Sequence, residues 1–130
     1  GPYRPMGEKE YLPADKATLD GTFWVDADGK PYMVYCHEWL QNGDGTIEKI
    51  ELKSDLSGTI GEGKILFKAS DSPWNREKMG KEVKPNRVTD GPWLFRTGTG
   101  RLGMIWTSWV YGDYTQGVAV GAGRKPRHSA

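Results

Sequence analysis

The chain has 130 residues, 27% of them charged, and a formal net charge of +1. That length suits one domain or part of one, with a modest core. So small a net charge sets up no field for nucleic acid or an anionic membrane, and neither is expected as a partner. One cysteine, Cys36, excludes an internal disulfide. Set inside an apolar run, it reads as a buried thiol and not as a nucleophile. No apolar run is long enough to cross a bilayer, and no basic-then-apolar leader opens the chain. The one cluster of like charge, Arg124, Lys125 and Arg127, reads as a solvated end.

Eighteen Gly and eight Pro, spread evenly, favour many turns over long helices. No segment keeps apolar residues at i, i+3, i+4 and i+7. In chain order, strands are expected over 21–25, 32–37, 46–52 and 65–68, then over 93–96, 102–108 and 115–120. The turns between them carry suitable residues: Asp28-Gly29, Asn42-Gly43-Asp44-Gly45, Ser57-Gly58 and Gly98-Thr99-Gly100. The runs 32–36 and 102–106 are apolar on both faces, as inner strands are. The run 46–52 mixes apolar and charged residues and reads as a half-exposed outer strand. Between the two sets, 69–87 is a long polar connector with Pro73 and Pro85, a length uncommon for a loop without a function.

The two sets repeat one another. The segment 19–39, LDGTFWVDADGKPYMVYCHEW, aligns without a gap on 89–109, TDGPWLFRTGTGRLGMIWTSW, at an offset of 70 residues. Asp20 falls on Asp90, Gly21 on Gly91 and Trp39 on Trp109. Strand–turn–strand units repeated at this spacing indicate a modular all-β architecture. The expected fold is about two antiparallel four-stranded meander blades of a β-propeller, a partial propeller. The first blade-like unit covers about 19–69. The second, of three strands, covers about 88–121, and its fourth strand would fall past residue 130. Two blades cannot close a ring, and an open face with an unpaired edge invites association. A homo-oligomer that completes the propeller is therefore expected.

The chemistry-bearing residues follow from the repeat. Asp20 and Asp90 each open an inner strand, whose N-terminal ends converge at a propeller axis. Converging carboxyl groups oppose each other's ionisation and split their pKa values, which is the requirement of acid-assisted glycosidic hydrolysis. Asp-Gly is also a common turn dipeptide, so each Asp equally suits a strand-start cap. His37-Glu38-Trp39 sets a base, an acid and an aromatic platform side by side. Strand alternation would send His37 and Trp39 to one face and Glu38 to the other. Trp24, Trp93 and Trp109 would add sugar-stacking faces near the same end. The runs 26–29 and 42–45 are similar to calcium loops but lack their ligand register and read as hairpin turns. No metal site and no cofactor is expected.

These segments, with the following GTIEKIELKSDLS, resemble the second and third blades of glycoside hydrolase family 43 over nearly all of this chain. The resemblance implies a five-bladed propeller enzyme of the β-xylosidase, α-L-arabinofuranosidase or arabinanase kind, bacterial and periplasmic or secreted. It implies an inverting mechanism with three carboxylates. Asp20 matches the carboxylate that orients the acid, and Asp90 stands where the acid, normally Glu, is expected. Glu38 is an alternative acid. The base belongs to a first blade, which has no counterpart here apart from an outer strand at 1–6. The expected function is hydrolysis of β-xylosides or α-L-arabinofuranosides. The catalytic set is Asp20, Asp90 and Glu38, with His37, Trp39, Trp24, Trp93 and Trp109 binding the sugar. The alternatives are a non-catalytic carbohydrate-binding module and a truncated fragment of such an enzyme.

Overall fold

Residues 1–122 are described by a computed structural model, so the basic cluster at 124–127 lies outside the described residues. Four strands run as an antiparallel meander in the order β1 (Thr18–Val25), β2 (Pro31–His37), β3 (Thr46–Leu52) and β4 (Thr59–Lys68). A one-turn helix, α1 (Trp39–Asn42), interrupts the β2–β3 connection. The expected tight turn at 42–45 is instead the exit from this helix, closed by Gly43 in the left-handed region at φ 82. The polar connector is not structureless. It holds a 3-10 turn at Ala69–Asp71 and a hairpin of β5 (Glu77–Met79) and β6 (Glu82–Lys84). No residue of that hairpin is buried, which is why no apolar alternation announced it. A second meander follows: β7 (Asp90–Arg96), β8 (Leu102–Val110) and β9 (Asp113–Val120).

Two expectations fail here. Residues 1–6 form no strand, since Pro2 and Pro5 have no N–H to give a ladder. The outer strand of the first sheet is β4, and β3 is interior to it. Five of the seven β3 residues are buried, Glu48 among them. Its far face is covered by Tyr11, Leu12 and Leu56, which pack on the buried cluster of Tyr35, Ile50 and Leu52.

The second cluster joins the sheets. Val34, Cys36 and Ile47 of the first pack against Met104 and Trp106 of the second. Trp106 lies between Phe67, 5.1 Å away centroid to centroid, and Trp74 of the connector, 4.9 Å away. Polar bonds close the same seam. Gly45 N–H donates to Arg87 O at 2.8 Å, and Thr89 Oγ1 donates to Thr46 O at 3.3 Å. Asp44 accepts from the Ser70 amide and hydroxyl and pairs with Arg87 at 3.3 Å. A Cβ at Gly45 would lie 2.6 Å from the Arg87 carbonyl oxygen, so only glycine allows this approach. Buried Asn75 ties the connector down by donating to Ala69 O and Asn86 O, each at 3.0 Å.

The sheets do repeat, but at an offset of 71 and not 70. Leu19 pairs with Cys36, and Asp90 with Thr107; Thr22 pairs with Val34, and Trp93 with Ile105. A bulge interrupts the first strand at the same place in both, between Leu19 and Thr22 and between Asp90 and Trp93. The left-handed residue inside it is Asp20 (φ 55) in one copy and Gly91 (φ 53) in the other. Asp20 therefore corresponds to Gly91, and Asp90 to Leu19. The predicted equivalence of the two carboxylates is overturned.

Because Trp106 is packed from both sheets and from the connector, Trp106→Ala is expected to cost about 3–5 kcal/mol in urea unfolding. Trp93→Ala, on a side chain 63% exposed, is expected to shift stability by less than about 0.5 kcal/mol.

Candidate active site

The two aspartates converge by packing and not by symmetry. The bulge turns Asp20 out of the β1 ladder, in a left-handed conformation that few side chains other than Asp and Asn tolerate. Its Oδ2 accepts the backbone N–H of Gly91 at 3.0 Å. That bond sets the Asp20 carboxylate against the peptide that follows Asp90. Glu38 leaves the strand at the end of β2, its amide held by Ala17 O at 2.9 Å. It is the N-cap residue of α1, with no capping bond from its side chain.

These placements show in the ionisation of Asp90. Burial raises its carboxyl above the ordinary value of 3.8, a hydrogen bond from Tyr114 opposes the rise, and the charges of Asp20 and Glu38 add to it. The Tyr114 hydroxyl donates to Asp90 Oδ2 at 2.5 Å, and its ring packs on Trp109 with centroids 4.8 Å apart. Beneath the carboxylates lies Cys36, fully buried. Burial pushes its thiol up to about 12, a bond from Thr89 lowers it, and Asp90, Asp20 and Glu38 raise it further. The thiol is inert at neutral pH.

The other expected site residues divide. Trp109 lies beside Asp90 through Tyr114, and Trp93 stands exposed on the same face of the second sheet, opposite Ile105 and Val118. Trp39 begins α1, so strand alternation ends at His37 and does not place Trp39 on its face. Trp24 is four residues beyond Asp20, about 13 Å along the strand at ~3.3 Å per residue. There it caps the β1–β2 turn, with Nε1 donating to Asp26 at 2.8 Å and the Arg96 guanidinium 5.6 Å above its ring. It is therefore not at the carboxylate end. His37 is held inward, Nδ1 3.3 Å from Glu48 Oε1 and Nε2 2.6 Å from Gln41 Oε1.

That histidine belongs to a buried polar network that sequence reasoning missed. Glu48 is 2% exposed and accepts from Lys16, Tyr35 and Thr46 at 3.0–3.1 Å. Burial opposes its ionisation, yet the hydrogen bonds from Lys16, Thr46 and Tyr35 outweigh it and hold the carboxyl below its ordinary 4.5. Gln41 fixes the helix entrance, accepting from the Ala17 amide at 2.7 Å and donating to Asp15 O at 3.0 Å. Tyr114 was missed too, although Tyr111-Gly112 signalled it. Both residues have positive φ and form a two-residue hairpin turn, which fixes Tyr114 opposite Trp109.

The fold is a pair of adjacent propeller blades with three carboxyl groups gathered at the end of their seam. No protein-family model and no curated protein sequence matches the chain. Solved structures do. An endo-arabinase from Bacteroides thetaiotaomicron is 38% identical, over 94% of this chain and 43% of that one, with a TM-score of 0.81. A thermostable family-43 glycoside hydrolase (21% identical, TM-score 0.62) matches over 89% of this chain and 36% of its own. An endo-1,4-β-xylanase from Bacteroides thetaiotaomicron (19%, 0.62) matches over 92% and 38%. The chain resembles the family-43 glycoside hydrolases, and it spans less than half the length of the structures it matches.

Glu48 and Asp90 predict opposite pH responses. Glu48, lowered in the fold, contributes stability above about pH 4.5 that is lost as pH falls through its lowered value. Glu48→Gln is expected to cost about 1–3 kcal/mol at pH 7 and to lose this deficit on acidification. Asp90, raised in the fold, contributes stability below about pH 3.8 that is lost as pH rises through its raised value. Asp90→Asn should raise Tm at pH 7 and leave it unchanged at pH 3. Thermal melts of the three proteins from pH 3 to pH 8 check both signs.

Proposed function

We propose that this chain is the acid-bearing part of a glycoside hydrolase site acting on α-L-arabinofuranosyl or β-xylosyl linkages by inversion. The observation that carries the reading is the half-buried carboxyl of Asp90. It is biased toward its protonated form by burial and by the charges of Asp20 and Glu38, as a general acid must be. In this reading Asp90 protonates the leaving-group oxygen. Asp20, anchored on the Gly91 amide, supplies the fixed negative charge that keeps the Asp90 proton in place. Glu38 is the second charge and the alternative acid. Trp109, beside Asp90 through Tyr114, offers a stacking face for the sugar. The endo-arabinase likeness at 38% identity favours arabinofuranosyl linkages over xylosyl ones.

Inversion also needs a base roughly 6.5–9.5 Å from the acid, across room for one water. The base that the family resemblance implies lies on a blade outside this chain. In a homo-oligomer of this chain, whose blades complete the ring, that role falls to a carboxylate of Asp20, Asp90 or Glu38 from a neighbouring copy. Two features favour self-association. The edge of β9 carries no strand partner among the described residues, and the far face of the second sheet exposes Trp93, Tyr114, Val118 and Val120. The same exposed aromatics support the second reading, a carbohydrate-binding module without turnover.

Hydrolysis of nitrophenyl α-L-arabinofuranoside, xyloside, galactoside and glucoside, and of linear arabinan, tests the proposal. Turnover is expected on the arabinofuranosyl substrates, falling about 10²–10⁴-fold in Asp90→Asn and strongly in Asp20→Asn, which keeps the left-handed backbone. Turnover should follow the fraction of protein found as oligomer by light scattering. Sugar binding without turnover, weakened by Trp109→Ala and untouched by the carboxylate changes, establishes the binding module instead.

A further inference from the structure

We propose that Tyr114 is the positioning residue of this site: its phenol holds Oδ2 of Asp90 and leaves Oδ1 as the oxygen that carries the proton. The inference rests on the acid role given to Asp90 above and extends it to a residue on a different strand.

The geometry is specific. Asp90 opens β7 and Tyr114 sits near the start of β9, so the contact crosses the whole sheet over β8. The hydroxyl-to-Oδ2 distance is 2.5 Å, the length of a strong bond from a hydroxyl to a carboxylate. Tyr114 does not drift into this place. The two-residue turn at Tyr111-Gly112 fixes the pairing of Val110 with Asp113 and of Trp109 with Tyr114. The connector then clamps that turn. Arg76 N–H donates to Trp109 O at 3.1 Å, and Tyr111 N–H donates to Arg76 O at 2.7 Å. The Trp109 ring holds the Tyr114 ring from the side. The phenol is thus fixed by a turn, a clamp and a stacking partner before any substrate arrives.

The chemistry explains why such a residue is needed. The groups facing Asp90 are Asp20 from β1, Glu38 from the end of β2, Cys36 beneath and Tyr114 from β9. Asp20 and Glu38 push toward the protonated form, and the buried thiol is neutral. Tyr114 is the one group in this set that favours the carboxylate, because a donated hydrogen bond stabilises charge on Oδ2. A general acid must hold its proton at rest and release it in the reaction. Asp20 and Glu38 serve the first requirement and Tyr114 the second. A side chain with only two rotatable bonds, pinned at one oxygen, also presents the other in one direction.

The test is titration of the Asp90 carboxyl by carbon-13 NMR in the full chain, with Asp90→Asn assigning the signal. In Tyr114→Phe the Asp90 titration is expected to move upward by about 1 unit, with the amide spectrum otherwise retained. Placing 3-fluorotyrosine at 114 keeps the ring, strengthens the donor and should move the titration downward. It also decides the matter if the Phe variant fails to fold. An Asp90 titration that ignores both changes, or moves in the reverse sense, overturns the proposal. On any substrate that is turned over, Tyr114→Phe should lower kcat more than it changes KM and shift the alkaline limb of the pH profile upward. Titration shifts as expected with no turnover on any sugar would count against the glycosidase reading while upholding the Tyr114–Asp90 pair.

Discussion

Everything in this structure depends on the seam between the two sheets, and Trp106 is its centre. A sheet of three or four strands must have its apolar face covered to build a core. Trp106 lets each use the other as a wall, with Phe67 on one side and Trp74 on the other. The apolar contact sets how far apart the sheets lie. The polar bonds at Gly45, Asp44 and Thr89 set how they are rotated. Only at that separation and rotation does the amide of Gly91 meet the carboxylate of Asp20. The site is a consequence of packing more than 40 residues away in sequence from some of its parts.

The offset of 71 residues explains how a correct architecture coexisted with a wrong correspondence. Aligning Asp-Gly on Asp-Gly is natural when side chains are compared, and it brings two carboxylates into one position. The backbone obeys a different constraint. Each first strand needs a bulge, each bulge needs a left-handed residue, and Asp20 and Gly91 are the residues able to supply one. Neighbouring residues of a strand point to opposite faces, so a slip of one decides where a carboxylate points. Asp90 occupies the place that Leu19 fills in the first blade. There it faces a tyrosine across its own sheet instead of a core.

The all-β meander, the two blades and all seven of their strands were legible because apolar runs and Gly-bearing turns set them out. The buried position of β3 was not. Its TIEKIEL pattern describes an exposed strand unless Glu48 is satisfied, and the partners that satisfy it come from 11, 13, 2 and 32 residues away. Such a network is invisible to periodicity. The convergence of Asp20, Glu38 and Asp90 was legible in outline from strand starts and ends. Tyr114 was not, because its importance arises from register across a turn made of Tyr-Gly and not of the more familiar Asn-Gly.

The site also lies at a boundary in a second sense. Asp20 and Glu38 belong to the blade whose packing face is fully used. Asp90, Tyr114, Trp109 and Trp93 belong to the face of the second blade that corresponds to it and is left open. A further blade laid on that face would cover Trp93 and Val118 as the second blade covers Val34 and Cys36. It would also dry the surroundings of Asp90. Drying favours the protonated acid and strengthens every remaining charge interaction. In the proposed reading, completing the propeller and tuning the acid are one event, since the open face that a next blade would cover is the face that carries Asp90.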